Sequence, residues 1–212
     1  MLKSYRLLSI AIAALLVAGI AATASAQNVL ANPGFETGLT GWGAFGNAYA
    51  EASNPPQFVP YEGNGLVSMY GNFWGSFNVS GIYQEFPTMP GAMWVLCCKT
   101  RHWSGDAMTM DGADDNWVVQ KIAFFDMVHN EIGGVESTVL DGSFATELWF
   151  DNAPISGIAP EGTMYVQALV LFLQPLWDGG AAHVDLVQFY QCGGPVGVEE
   201  STWGGIKAMF SE

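Results

Sequence analysis

Residues 164–190 read MYVQALVLFLQPLWDGGAAHVDLVQFY, two apolar segments separated by the loop PLWDGG at 175–180. Each segment has the length and the β-branched and aromatic content of a strand, and Pro and Gly mark the loop between them. The same pattern recurs over residues 66–70, 81–86, 93–101, 117–126, 136–140, 148–152, 164–173 and 182–190. Eight or more short strands, without a long apolar stretch at helical spacing, predict an all-β fold. We expect a two-sheet antiparallel β-sandwich of the jelly-roll kind.

The amino terminus predicts export. Lys3 and Arg6 precede an apolar run over residues 7–22, and Ala24-Ser25-Ala26 follows it. A basic start, a short apolar centre and a small-residue cleavage site are typical of a secretory signal peptide. The run is also shorter than the roughly 20 residues of a membrane span. We therefore expect a signal peptide over residues 1–26, a secreted or cell-surface protein, and no membrane insertion after cleavage.

The charge of the chain excludes several classes of partner. The sequence has 20 acidic and 6 basic residues, and cleavage after Ala26 would remove two of the bases, leaving a formal charge of 4 − 20 = −16. Nucleic acids and anionic lipids are bound by basic surfaces, so neither is an expected partner. Half of the residues are hydrophobic and 13% are aromatic, which excludes a disordered chain. A folded, acidic, extracellular protein remains, with its domain over residues 27–192.

Residues 193–212 are predicted to form a linker and a C-terminal tail. After a Gly-Gly-Pro hinge, Trp203, Ile206 and Phe210 follow one another at spacings of three and four, which places them on one face of a short helix. Two interpretations stay open. The tail either folds back on the sandwich or is a sorting or docking segment bound by a secretion or surface partner.

The mature chain has three cysteines, Cys97, Cys98 and Cys192. An exported protein can oxidise them, but an odd number cannot all pair within one chain. Neighbours on a strand point to opposite faces, so Cys97 and Cys98 are not expected to bridge each other. One disulfide from Cys97 or Cys98 to Cys192 is one interpretation, and three unpaired, buried cysteines are the alternative.

Several motifs, in order, resemble those of one protein family. They are NVLANPGFETGLTGW at 28–42, EGNGLVSMYG at 62–71, IYQEF at 82–86, PGAMW at 90–94, APEGTMYV at 159–166 after Trp149, and VDLVQF at 184–189. Together they are similar to carbohydrate-binding modules of the family 4/9/22 type and span nearly all of residues 28–190. The resemblance implies a galactose-binding-like β-jelly roll, commonly a non-catalytic module of extracellular bacterial proteins. Fold alone does not decide function, since this architecture also serves adhesive and structural domains.

Sugar binding is expected from flat aromatic rings, which cover the C–H face of a pyranose, and from polar groups that bind its hydroxyls. Trp42, Trp94 and Trp149 match core positions of the family, and Trp117 opens a strand. These four side chains are therefore expected to pack in the core.

Three loop tryptophans are the preferred ligand-binding candidates, Trp74, Trp103 and Trp177, because rings in glycine-rich loops are hard to bury fully. Strand alternation adds Arg101, which should face outward beside Trp103. Gln174, at the end of the strand before Trp177, could bind a hydroxyl. The alternatives are packing of the rings on the sandwich edge and a surface ion pair for Arg101.

The resemblance also implies a structural Ca²⁺. Family members often hold this ion with acidic residues of the opening segment, the second strand and the closing strand, and Glu36, Glu62 and Asp185 occupy the matching places. Hard cations take several oxygen ligands, which carboxylates from distant segments can supply. Ordinary surface carboxylates or strand-end hydrogen bonds are the alternative.

The predicted function is non-catalytic binding of an extracellular polysaccharide or glycan through loop or concave-face aromatic residues. One alternative is a structural or adhesive protein that contacts other proteins through its aromatic loops and tail. A small polysaccharide lyase or hydrolase is a third interpretation, for which Arg101, His102, Tyr83 and Gln84 are the available residues. No nucleophile, zinc-protease or phosphate-loop motif is present in the sequence.

Overall fold

The computed structural model describes residues 27–112 and 114–192, so the predicted signal peptide and tail lie outside the described residues. The strands in these ranges are β1 (Gly43–Phe45), β2 (Asn47–Ala52), β3 (Gly65–Tyr70), β4 (Asn78–Pro87), β5 (Met93–Arg101), β6 (Trp117–Phe125), β7 (Glu131–Asp141), β8 (Phe150–Asp151), β9 (Ile155–Ile158), β10 (Tyr165–Gln174) and β11 (Ala181–Cys192). A single 3₁₀ turn, Ser104–Asp106, is the helical element of this part of the chain. Within the same ranges, no helix is long and apolar enough to cross a membrane.

The strands form two antiparallel sheets, which confirms the predicted sandwich. Sheet A has the order β1-β4-β10-β6-β7, and sheet B has the order β2-β3-β11-β5-β8 with β9 also paired to β5. Strands that are distant in sequence lie side by side, as β4 and β10 do over ten residue pairs. This crossing connectivity is that of a jelly roll and not of a simple meander.

The core lies between the sheets, and the alternation of inward and outward side chains is clearest in β10. In β10 the inward side chains Val166, Ala168, Val170 and Phe172 are buried, while the residues between them are half-buried on the outer face. Burying one such aliphatic or aromatic side chain contributes about 1.5–3 kcal/mol. The alternation therefore fixes both the register and the face of each strand that contacts the core.

Three short strands were not predicted, and β4, β7 and β11 are longer than predicted. β1, β2 and β9 have three to six residues and small or glycine residues, so they carry little apolar signal. β7 continues through Gly133 and Gly134, a pair that is typical of a turn in sequence. Pairing with β6 overrides that local preference, and a bulge at the start of β7 absorbs the mismatch.

The structure contradicts the disulfide interpretation and agrees with unpaired cysteines, of which Cys98 is buried and Cys97 and Cys192 are half-buried. Cys192 lies opposite Met93 in the β5–β11 ladder, four residues along β5 from Cys97, whereas Cys97 lies opposite Gln188. Four residues of strand separate the two sulfurs by far more than a disulfide spans. Cys98 faces the core, where burial raises the pKa of its thiol to about 12. All three cysteines are unpaired.

Candidate functional site

Three loops meet at one end of the sandwich around the side chain of Gln174. Its Oε1 accepts hydrogen bonds from Phe73 N at 2.8 Å and from Asn78 Nδ2 at 3.0 Å, and its Nε2 donates to Asp178 O at 2.8 Å. Gly71 makes room for this amide, because a Cβ there would collide with it. Gln174 is fully buried, and its amide is used inside the protein. The prediction that it binds a sugar hydroxyl is therefore wrong, and its role is to fix the 71–77 loop against the 175–180 loop.

Trp74 and Trp177 lie on these two loops, and both rings are exposed to solvent. Trp74 is 73% exposed and Trp177 is 62% exposed. The Trp177 ring rests on the backbone of Gly75, where any Cβ would collide with it, and Gly75 has a φ of +70° that favours glycine. The structure thus brings these two predicted residues to the same end of the sandwich.

Further apolar side chains, exposed except for the half-buried Trp117, surround the two tryptophans. With them they form what we call the aromatic end, made of Phe73, Trp74, Phe77, Trp117, Leu176 and Trp177. The Phe77 and Trp117 ring centroids are 6.4 Å apart. Trp117 was predicted to be a core residue, which is wrong, because the inward position belongs to its neighbour Val118. No alternation marks its outward position, because the β6 sequence WVVQKIAFF is mostly apolar on both faces of the strand.

Trp103 is less exposed than this pair, although the residue after its turn, Ala107, lies against Gly180 of the 175–180 loop. Trp103 is half-buried, and its ring lies against Gly105 within the turn Ser104–Asp106. Packing on the sandwich edge is therefore the better description of Trp103.

Arg101 is buried, which contradicts its predicted role on an open outer surface. The alternation was predicted correctly, but residues 53–64 fold over the outer face of sheet B and leave Arg101 only 2% exposed. Its Nη1 donates to Gln57 O at 2.9 Å and lies 3.2 Å from His183 Nδ1, and its Nη2 is ion-paired with Glu147. The sequence could not show that this covering loop would use the guanidinium as an anchor.

The acidic residues predicted to bind calcium act instead as hydrogen-bond acceptors. The buried Asp185 carboxylate accepts N–H groups of Tyr61 at 2.8 Å, Glu62 at 3.2 Å and Leu186 at 2.6 Å. Glu36 accepts the N–H of Asn64 at 2.9 Å. In the described part of the chain, no group of three acidic, His or Cys side chains is positioned to hold a metal ion. The residues do not fit a three-carboxylate calcium site, since Glu62 contributes its backbone to this cluster and its side chain is exposed.

Asp185 and His183 lie two residues apart on the outer face of β11, and their pKa values are shifted in opposite directions. Burial raises the pKa of Asp185 to about 6, so the folded state holds its proton more readily than the unfolded chain. Burial, and then the nearby Arg101 charge, lower the pKa of His183 to about 4, so the unfolded chain is protonated more readily there. As pH rises from about 4 to about 6, the contribution of Asp185 to stability falls and that of His183 rises.

Variants of these two residues should therefore change the pH dependence of stability in opposite directions. Relative to the wild type, we expect Asp185→Asn to make the free energy of unfolding rise more steeply with pH between about 4 and 6.5. His183→Gln should make the rise shallower or reverse it. Urea unfolding at half-unit pH steps in EDTA measures both slopes, and three equal slopes would contradict the assignment.

The residues available for a lyase are not assembled into one site. His102 is buried, with its Nε2 2.9 Å from Phe144 O and its Nδ1 accepting Met108 N at 3.2 Å. Tyr83 belongs to the other sheet and faces its outer side. Gln84 faces inward and bonds the backbone of Ala31. Each of these groups has a structural partner of its own.

The fold is shared with several solved structures. The carbohydrate-binding module TmCBM61, solved in complex with β-1,4-galactotriose, is 19% identical over 78% of this chain and 99% of its own, with a TM-score of 0.50. A cyclase from Fischerella sp. TAU is 13% identical over 79% of this chain and 98% of its own, with a TM-score of 0.51. The enzymatically active domain of tailspike protein 4 of bacteriophage CBA120 is 12% identical over 78% of this chain and 21% of its own, with a TM-score of 0.52.

These likenesses establish the fold. The chain has the β-sandwich architecture of carbohydrate-binding modules, as the sequence resemblance predicted. The same architecture occurs in the cyclase and in the tailspike domain, so it does not by itself decide between binding and catalysis. No protein-family profile and no curated protein sequence matches the chain.

Proposed function

We propose that this protein is a secreted, non-catalytic carbohydrate-binding protein whose glycan site is the aromatic end. The observation that carries the proposal is the pair of exposed rings, Trp74 and Trp177, held on two loops that the buried Gln174 ties together. Flat apolar rings on a fixed framework offer a preformed surface to the C–H faces of sugars. The architecture shared with TmCBM61 supports this use, and the signal-peptide sequence at 1–26 supports export.

Polar groups and charge at this end favour a neutral glycan. Thr109 Oγ1 donates to both oxygens of the Asp178 carboxylate at 3.0 and 3.1 Å, beside the Trp177 loop, and this carboxylate can also accept sugar hydroxyls. Every basic side chain within the described ranges is ion-paired, in the pairs Lys99–Asp151, Arg101–Glu147 and Lys121–Glu131. An acidic surface whose described cations are all paired repels sulfated and uronic polymers.

A glycan array on the mature chain, residues 27–212, tests the proposal in Ca²⁺ and again in EDTA. We expect neutral polysaccharides to be bound equally in both conditions, because the aromatic end lies away from Glu36 and Asp185. The absence of binding in both conditions would reject the proposal and favour a structural or adhesive protein. Binding confined to uronic polymers in Ca²⁺ would reject the neutral glycan. New reducing ends or unsaturated uronate absorbance from the same panel would reject the non-catalytic assignment.

A further inference from the structure

The opposite end of the sandwich presents a second apolar surface. We call it the methionine end, and its exposed residues are Met89, Met127, Val128, Ile132, Ile158 and Met164. Met127 is 73% exposed at the tip of the β6–β7 turn. Long, unbranched Met side chains adapt to irregular partners, and clusters of exposed apolar residues mark interaction surfaces.

Backbone hydrogen bonds join the loops of this surface into one patch. Met164 N donates to Phe125 O at 2.8 Å, and Met164 O accepts Thr88 N at 2.9 Å, so the loops after β4, β6 and β9 are adjacent. Ile132 lies within contact distance of the loop that contains Gly162. The loops that carry these residues are therefore held next to one another by the sheet framework.

The chain leaves the described domain at this same end. Cys192, the last residue of β11, lies opposite Met93, and Met93 lies opposite Ile158 on the other side of β5. The twenty residues that follow can reach about 66 Å when extended, more than enough to cross the patch. Their sequence supplies Trp203, Ile206 and Phe210 at helical spacing.

We propose that residues 193–212 bind the methionine end of their own chain through Trp203, Ile206 and Phe210. Large aromatic rings are the favoured partners of thioether side chains. Covalent attachment gives the segment an effective concentration in the millimolar range, so a modest apolar contact is enough to keep it bound. A second copy is disfavoured as the occupant, because each mature chain carries a charge of −16 and the copies repel each other. The proposal is independent of glycan binding at the other end.

Methionine oxidation, read by mass spectrometry, tests this occupant on the full mature chain. Met110 is 62% exposed at the other end and serves as the exposed reference, and the buried Met69 and Met108 report unfolding. In the wild type, we expect Met127 and Met164 to be oxidised at least about three-fold more slowly than Met110, as for a site covered two thirds of the time. Trp203→Ser with Phe210→Ser should raise their rates to that of Met110. The matched control, Lys207→Ser, should leave them unchanged.

Several results would overturn the proposal. Oxidation of Met127 and Met164 in the wild type at the rate of Met110 would show that nothing covers the patch, and this comparison needs no variant. Protection that persists in the Trp203 and Phe210 double variant would assign the patch to another occupant. Protection that increases with protein concentration would identify that occupant as a second copy.

Discussion

Replacing Trp74 and Trp177 together by alanine is expected to lower the affinity for a bound polysaccharide about 100-fold. Each ring that a sugar covers contributes at least about 1.4 kcal/mol to the binding free energy, which is a tenfold change in affinity. The two rings stand on separate loops, so we expect their contributions to add. Both rings are mostly in solvent, so their removal takes little from the core. The melting temperature should therefore stay within about 2 °C of the wild type. Retardation in affinity gels that contain the polysaccharide measures the change.

The outer face of sheet A provides the matched control for this double variant. Phe45 and Tyr83 form an aromatic pair there, with ring centroids 6.4 Å apart. This face is the competing place for a glycan, because it also combines aromatic and polar side chains. Phe45→Ala with Tyr83→Ala should leave affinity within about two-fold of the wild type if the aromatic end is the site. Loss of binding in this control, with binding kept in the tryptophan variant, would move the site to sheet A.

The second large effect concerns Gln174. Replacing it by leucine keeps the volume of the side chain but removes its hydrogen bonds to Phe73, Asn78 and Asp178. Three polar groups, the buried Asn78 amide and the partly buried Phe73 N–H and Asp178 C=O, then lose this partner, at about 1 kcal/mol each. We expect a loss of about 3 kcal/mol and a melting temperature lower by about 6–12 °C. Polysaccharide affinity should fall as well, because the two tryptophan loops lose their common anchor.

Gln167 is the control for Gln174, since the same residue type lies on the same strand but faces outward. Its Nε2 donates to the Glu85 carboxylate at 2.8 Å in an exposed position. Gln167→Leu should change stability by less than about 1 kcal/mol. Equal losses in the two variants, by thermal unfolding, would contradict the assignment of Gln174 as the anchor of the loops.

Most of the fold could be predicted from the sequence because alternation and turn residues act locally. β10 and β11 show this, since residues 164–190 carry both strands and their loop in the apolar pattern alone. β2 and β9 could not be predicted, because their pairing with β3 and β5 is decided by distant segments. The absence of a disulfide follows from the β5–β11 register, which no local pattern in the sequence shows.

The exposed rings of the site could be predicted from the sequence, but the partners of its buried polar side chains could not. Glycine-flanked loop rings are difficult to bury, which is why Trp74 and Trp177 are exposed as expected. Strand alternation predicts the face of Arg101, and the place of Gln174 before Trp177 predicts a polar contact, but the environment of both is set by loops from elsewhere in the chain. A buried polar side chain takes the partners that such a loop brings, and the sequence does not list those partners.

The most direct test of the account is a ¹⁵N–¹H spectrum of the indole groups of the mature chain, titrated with oligosaccharides of whichever polysaccharide the array identifies. The sequence has eight tryptophans, and each gives one indole signal. We expect the Trp74 and Trp177 signals to shift with saturation and those of the buried Trp42 and Trp94 to stay in place. Shifts confined to other residues, with Trp74 and Trp177 unchanged at saturation, would contradict this assignment of the site.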